Sequence, residues 1–86
     1  MKISVLGLGY IGLPTSLLLA NAGNTVTGVD INTKIIDTLK KGELPFNEPG
    51  LLELFQHAKE CFTASSVVES SDAYIISVPT PLEKGM

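Results

Sequence analysis

The stretch Gly7-Leu8-Gly9-Tyr10-Ile11-Gly12 constrains the fold of this 86-residue chain more than any other feature. It follows a short β-branched apolar run directly and opens a helical stretch, a setting that demands a tight strand-to-helix turn. Lys2 to Leu6, KISVL, reads as a strand buried on both faces. Leu13 to Ala22 is rich in Leu and Ala, with Leu13, Leu17 and Ala20 at helical spacing and Gly23-Asn24 as the stop. Pro14 fits there because the first helical turn has no amide partner to lose. Thr25 to Asp30, TVTGVD, is a second run of strand formers, and it closes on an acid eighteen positions beyond Gly12. The first 30 residues therefore predict a β-α-β unit.

The pattern continues with Asn32 as N-cap of a helix through Lys41, whose apolar face is Ile35, Ile36 and Leu39. Lys40 and Lys41 are favourably placed at its negative end, and Gly42 ends it. Glu43 to Gly50, ELPFNEPG, carries two prolines and no periodicity and reads as a loop. Leu51, Leu52, Leu54 and Phe55 mark a short amphipathic helix to about Lys59. Cys61 to Ala64 is a third, weaker strand. Ser66 with Glu69 predicts a capping box and a helical turn or two, before Ala73 to Val78 forms the fourth strand. Strands alternating with helices imply a parallel sheet with right-handed crossovers. The expected fold is thus α/β, a Rossmann-like doubly wound sheet of about four strands in the order 3-2-1-4, truncated relative to the six strands of a complete one. Residues 1–86 are read as the N-terminal part of such a domain. The bare edge of the fourth strand is expected to support self-association.

Each glycine of the turn has a physical task. Gly7 permits the tight turn, Gly9 removes a side chain that would keep a pyrophosphate from the backbone, and Gly12 lets the helix pack close to the strand. The amides of Tyr10 and Ile11 then face the phosphates from the positive end of the helix. Asp30, at the end of the second strand, is placed to accept hydrogen bonds from the adenosine ribose. A 2′-phosphate would meet that carboxylate, and the chain has no Arg to compensate, so NAD is expected rather than NADP. Two other uses of such a turn stay open on these residues: a stand-alone nucleotide-binding regulatory module, and a methyltransferase-like fold holding adenosylmethionine, whose lack of a pyrophosphate would leave the helix-start amides less to do.

Composition removes several other classes. Apolar residues make up 44% and the net charge is −3, which is unlike a disordered tail. The six basic residues are all Lys against nine acids, so neither nucleic acid nor an anionic membrane is an expected partner. Cys61 is the single cysteine and His57 the single histidine, too few for an internal disulfide or a four-ligand zinc site, and no metal is expected. Cysteine usage points to a reducing compartment and a cytoplasmic location. The uncharged run from Ile3 to Ala22, closing on Ala20-Asn21-Ala22, imitates a secretory leader. Gly7, Gly9, Gly12 and Pro14 would interrupt such a hydrophobic helix, or a membrane span.

GLGYIGLPTS (7–16), GVDIN (28–32), the loop G-E-x-P-x-x-E-P-G-L (42–51) and VPTP (78–81) together resemble the UDP-glucose/GDP-mannose dehydrogenase family, in order and along the whole chain. The resemblance implies oxidation of a nucleotide-sugar C6 hydroxyl to a carboxylate through a thiohemiacetal on a cysteine, with two NAD reduced, in surface-polysaccharide synthesis. It places the cofactor contacts on Gly7, Gly9, Tyr10, Ile11, Gly12 and Asp30, and on the segment from Val78 to Leu82, especially Val78 and Thr80. It also implies that the catalytic cysteine, lysine, asparagine and aspartate and the sugar-binding domain lie beyond residue 86. The UDP-sugar is then a partner of the full-length parent alone, and no catalytic residue is assigned within this chain. Cys61 is not the nucleophile: it is read as a small buried hydrophobe of the third strand, with no base evident beside it. His57 is read as a surface residue. Glu48-Pro49-Gly50-Leu51 is a family hallmark that reads equally as a rigid turn into a helix. Relatives often carry a base five positions after the strand-end acid; here that position is Ile35, which puts Lys34 in doubt as a ligand.

Overall fold

The computed structural model describes residues 1–77. Seven elements follow in chain order: β1 (Lys2–Leu6), α1 (Gly12–Asn21), β2 (Thr25–Val29), α2 (Thr33–Lys40), α3 (Leu51–Ala58), β3 (Phe62–Ser65) and β4 (Ala73–Ile76). The strands form one parallel sheet in the order β3-β2-β1-β4, as the alternation of strands and helices predicts. No helix among the described residues is long and apolar enough to cross a membrane.

Side chains alternate across a strand, so register decides which residues share a face. Ile3 lies opposite Val26 and Ala73, Val5 opposite Gly28 and Ile75, and Val26 opposite Phe62. Ile3, Val5, Val26, Phe62 and Ala64 pack with Leu13, Leu17 and Ala20 of α1, Ile36 and Leu39 of α2, and Leu51, Phe55 and Ala58 of α3. Gly28 sits inside this layer: a Cβ there would stand 2.8 Å from both Leu8 Cδ2 and the Phe62 ring, so any side chain would have to displace them. Asn21 Nδ2 donates to the Leu54 carbonyl at 3.1 Å and ties the end of α1 to α3.

The opposite face of β1 is covered differently. Ser66 and Glu69 form no capping box and residues 66–72 form no helix, contrary to the sequence-based expectation. The physical reason lies in competing local hydrogen bonds. Val67 N–H donates to Ser65 Oγ at 3.0 Å, and the Glu69 carbonyl, which a helix would need, accepts from Ser4 Oγ at 3.3 Å and Ser71 Oγ at 3.2 Å. The Glu69 carboxylate lies 3.8 Å from Lys2 Nζ instead of reaching back to Ser66. The segment becomes an extended strap across the sheet, and the fully buried Ser4 shares a 2.6 Å hydrogen bond with Ser71. Ser4 therefore supplies the burial on the second face that was expected of β1.

Two further boundaries differ from expectation. β3 begins at Phe62, so Cys61 precedes the strand, half-buried against the core, with its carbonyl accepting Val26 N–H at 2.7 Å. β4 ends at Ile76, and Val78 lies outside the described residues. Asn32 caps α2 as expected, its Oδ1 accepting Lys34 N–H at 3.0 Å.

Candidate cofactor site

The carboxyl ends of β1, β2 and β3 open onto one cleft of about 550 Å³. Open parallel sheets bind ligands at that end. Gly7 to Gly9 form one wall, Asp30 to Asn32 the second, and Ile35, Ser66 and Val68 line the remainder. A second cavity, of about 450 Å³, lies between the carboxyl ends of α2 and α3 and contains none of the turn residues.

The turn is built from β1 outward. Gly7 N–H extends the sheet by donating to the Val29 carbonyl at 2.7 Å, and then the chain reverses through φ +103° at Gly7, a conformation that side chains rarely adopt. Gly12 is required for a different reason. A Cβ at this position would overlap the Gly7 carbonyl oxygen and lie 3.3 Å from Ser77 Oγ, so only glycine lets α1 start this close to the strand. Gly9 contrasts with both, because a Cβ there would meet nothing within 4 Å. Among the described residues no atom demands a glycine at position 9, and the space beside it lets a ligand approach the backbone.

No side chain of the described residues caps the start of α1. Among the described residues the Tyr10 and Ile11 amides donate to no acceptor, and both side chains are largely exposed, at 70% and 74%. Those amides carry the positive end of the helix dipole and suit an anion. Asp30 follows β2, half-buried on the facing wall. Its Oδ2 accepts Leu8 N–H at 2.8 Å and its Oδ1 accepts Asn32 N–H at 2.8 Å. A carboxylate offers about four acceptor sites, so this pair leaves capacity for hydroxyl donors. Glycine cradle, free amides and acidic rim together fit a dinucleotide.

Gly7, Gly9, Tyr10, Ile11, Gly12 and Asp30 are thus brought to one end of the sheet. Val78 and Thr80 lie outside the described residues. His57 is exposed on α3 and Cys61 precedes β3 at its amino end, and neither lines the cleft at the carboxyl ends of the strands. Ile35, read as part of the apolar face of α2, is half-buried and lines the cleft, while Lys34 beside it does not. Sequence reasoning missed Ile31, Ser66 and Val68 as cleft residues. Their common signal is position just past a strand end, visible once the strand boundaries are known. It also missed Phe46, whose ring lies 4.5 Å from that of Tyr10.

Comparison with known proteins gives a consistent picture. Residues 1–86 match the sequence model of the UDP-glucose/GDP-mannose dehydrogenase family, NAD binding domain. A UDP-N-acetyl-D-mannosamine dehydrogenase from Methanococcus maripaludis is 51% identical over 82 residues, covering 93% of this chain and 19% of that protein. The structure of UDP-N-acetyl-mannosamine dehydrogenase from Staphylococcus aureus superposes with a TM-score of 0.91 at 47% identity, covering 94% of this chain and 20% of that one. A ternary complex of GDP-mannose dehydrogenase from Pseudomonas aeruginosa superposes with a TM-score of 0.86 at 36% identity, again over 94% and 20%. The chain spans about a fifth of the length of these relatives.

Proposed function

The chain belongs to the UDP-glucose/GDP-mannose dehydrogenase family, as its NAD-binding domain, and from that membership we propose that it holds the dinucleotide of an NAD-dependent nucleotide-sugar 6-dehydrogenase. The substrate proposed is a UDP-sugar of the N-acetylmannosamine or glucose type, oxidised at C6 from hydroxyl to carboxylate with two NAD, in a cytoplasmic step towards surface polysaccharide. Bound NAD supplies the hydride acceptor; the catalytic groups and the sugar pocket come from outside these 86 residues, so the chain alone does not turn over.

The observation that carries this reading is the open space beside Gly9 facing the Asp30 carboxylate across one cleft. In the proposal, Gly7 and Gly12 shape the turn, Gly9 admits the pyrophosphate, and the Tyr10 and Ile11 amides hold it. Asp30 orients the adenosine ribose and repels a 2′-phosphate. Ile31, Ile35 and Val68 supply an apolar wall for the adenine, which explains why no base is needed at position 35. Val78 and Thr80 are proposed to contact the cofactor from beyond the fourth strand. β4 pairs with β1 alone among the described strands, and its free edge is proposed as a surface for self-association.

Titration calorimetry of the chain with NAD, NADP and adenosylmethionine tests the reading. NAD is expected to bind, NADP more weakly, and adenosylmethionine not at all, with Asp30→Ala weakening NAD. Preferential binding of adenosylmethionine would overturn it.

A further inference from the structure

The segment from Glu43 to Leu51 carries the Glu-Pro-Gly-Leu run, and nothing so far accounts for it beyond joining α2 to α3. Its ends are fixed by hydrogen bonds. Glu43 N–H donates to the Thr38 carbonyl at 3.1 Å and Leu51 N–H to the Glu48 carbonyl at 3.1 Å. Leu44 and Phe46 are half-buried against the hydrophobic core, which holds the middle of the segment down. Asn21 pins α3 to one end of α1, and Phe46 meets the other end, at Tyr10.

Tyr10 is the weak point of the glycine turn. The carbonyl of Gly9 is held by Leu13 N–H at 3.1 Å and that of Ile11 by Thr15 N–H at 3.1 Å. The equivalent donor for the Tyr10 carbonyl would be residue 14, which is Pro14 and has no amide hydrogen. Among the described residues neither polar group of the Tyr10–Ile11 peptide, the Tyr10 carbonyl and the Ile11 N–H, is hydrogen-bonded. The helix therefore fixes the peptides on either side and leaves this one loose. The Tyr10 ring is what remains to anchor it, and that ring packs on Phe46 with centroids 4.5 Å apart and planes tilted by 41°, within the favourable range for aromatic pairs.

We propose that Phe46 is a positioning residue for the dinucleotide: stacked on Tyr10, it holds the one peptide of the phosphate-binding turn that α1 cannot hold. This rests on the cofactor reading above. Phe46 itself does not touch the cofactor. It lowers the ordering cost of aiming the Ile11 amide, which the Tyr10–Ile11 peptide carries, so its contribution is confined to ligands that carry the pyrophosphate.

The test compares Phe46→Ala, Phe46→Leu and Phe46→Tyr with the unaltered chain, using NAD, ADP-ribose and adenosine as ligands in NMR titrations. Phe46→Leu keeps the apolar packing without the ring, and guards against a Phe46→Ala variant that fails to fold. The expected result is a loss of about three- to tenfold for NAD and ADP-ribose in the Ala and Leu variants, the size of one aromatic pair. Adenosine should be unchanged within about twofold and Phe46→Tyr should bind as the unaltered chain does, because only the ring and the pyrophosphate matter. On a Tyr10→Ala background, Phe46→Leu should cost nothing further. Equal losses for adenosine, additive losses on the Tyr10→Ala background, or no loss at all would overturn the proposal while leaving the cofactor reading intact. An unaltered chain that binds no NAD would overturn the cofactor reading and this proposal with it.

Discussion

Asp30 Oδ2 accepts the Leu8 amide at 2.8 Å, across a gap of 22 residues in sequence, and so joins the second strand's end to the middle of the glycine turn. The carboxylate shapes the turn as well as lining the cleft. Asp30→Ala removes the acceptor for both Leu8 and Asn32, and is expected to cost about 1–3 kcal/mol of stability. Asp30→Asn keeps one carbonyl acceptor and is expected to lose less. Urea unfolding of the two variants, followed by circular dichroism, reads the difference.

Cofactor selection separates from that structural role. Removing the carboxylate relieves repulsion of a 2′-phosphate, so the ratio of NAD to NADP affinity is expected to fall in both variants. Calorimetry with the two dinucleotides measures the ratio, which is independent of how much total affinity each variant loses.

The glycines of the turn make opposite predictions. Gly12→Ala forces a Cβ into the Gly7 carbonyl oxygen, a backbone atom that cannot step aside, and is expected to destabilise the fold by about 3 kcal/mol or more. Gly9→Ala places its Cβ in open space. That variant is expected to melt close to the unaltered chain and yet to bind NAD at least about tenfold more weakly, because the methyl group would stand where the proposed site admits the pyrophosphate. A Gly9→Ala chain that binds normally would show that the ligand does not reach this backbone.

Gly28 lies between these cases. The atoms an added methyl would meet are the far ends of Leu8 and Phe62, 2.8 Å away, which can shift. Gly28→Ala is expected to cost about 1–3 kcal/mol by overpacking, measured by urea unfolding, without moving the NAD to NADP ratio.

On the other face of the sheet, Ser4 and Ser71 hold the strap of residues 66–72 against β1. Ser4→Ala is expected to cost about 1 kcal/mol, and Ser71→Ala in that background much less than it costs alone, since both remove the same 2.6 Å hydrogen bond. A double-mutant cycle in urea tests the coupling.

Much of this protein was legible in its sequence because the signals are local. The hydrophobic runs, the glycine spacing and the Asn32 cap each depend on residues within one turn of each other, and they suffice for seven elements and for the strand order once right-handed crossovers are assumed. Six of the expected site residues, Gly7, Gly9, Tyr10, Ile11, Gly12 and Asp30, come together for the same reason: a strand-turn-helix followed by a second parallel strand leaves them nowhere else to be. The tertiary structure alone decided what spans distance. The Ser66–Glu69 pattern is a helix start by sequence, but Ser4, more than 60 positions earlier, claims the Glu69 carbonyl and keeps the strap extended. Phe46 is an ordinary loop aromatic until the packing of α3 on α1 carries it to Tyr10. Periodicity reports how a segment buries its own face; it carries no information on which distant hydroxyl or ring will satisfy it, because that competition is settled only when the layers assemble.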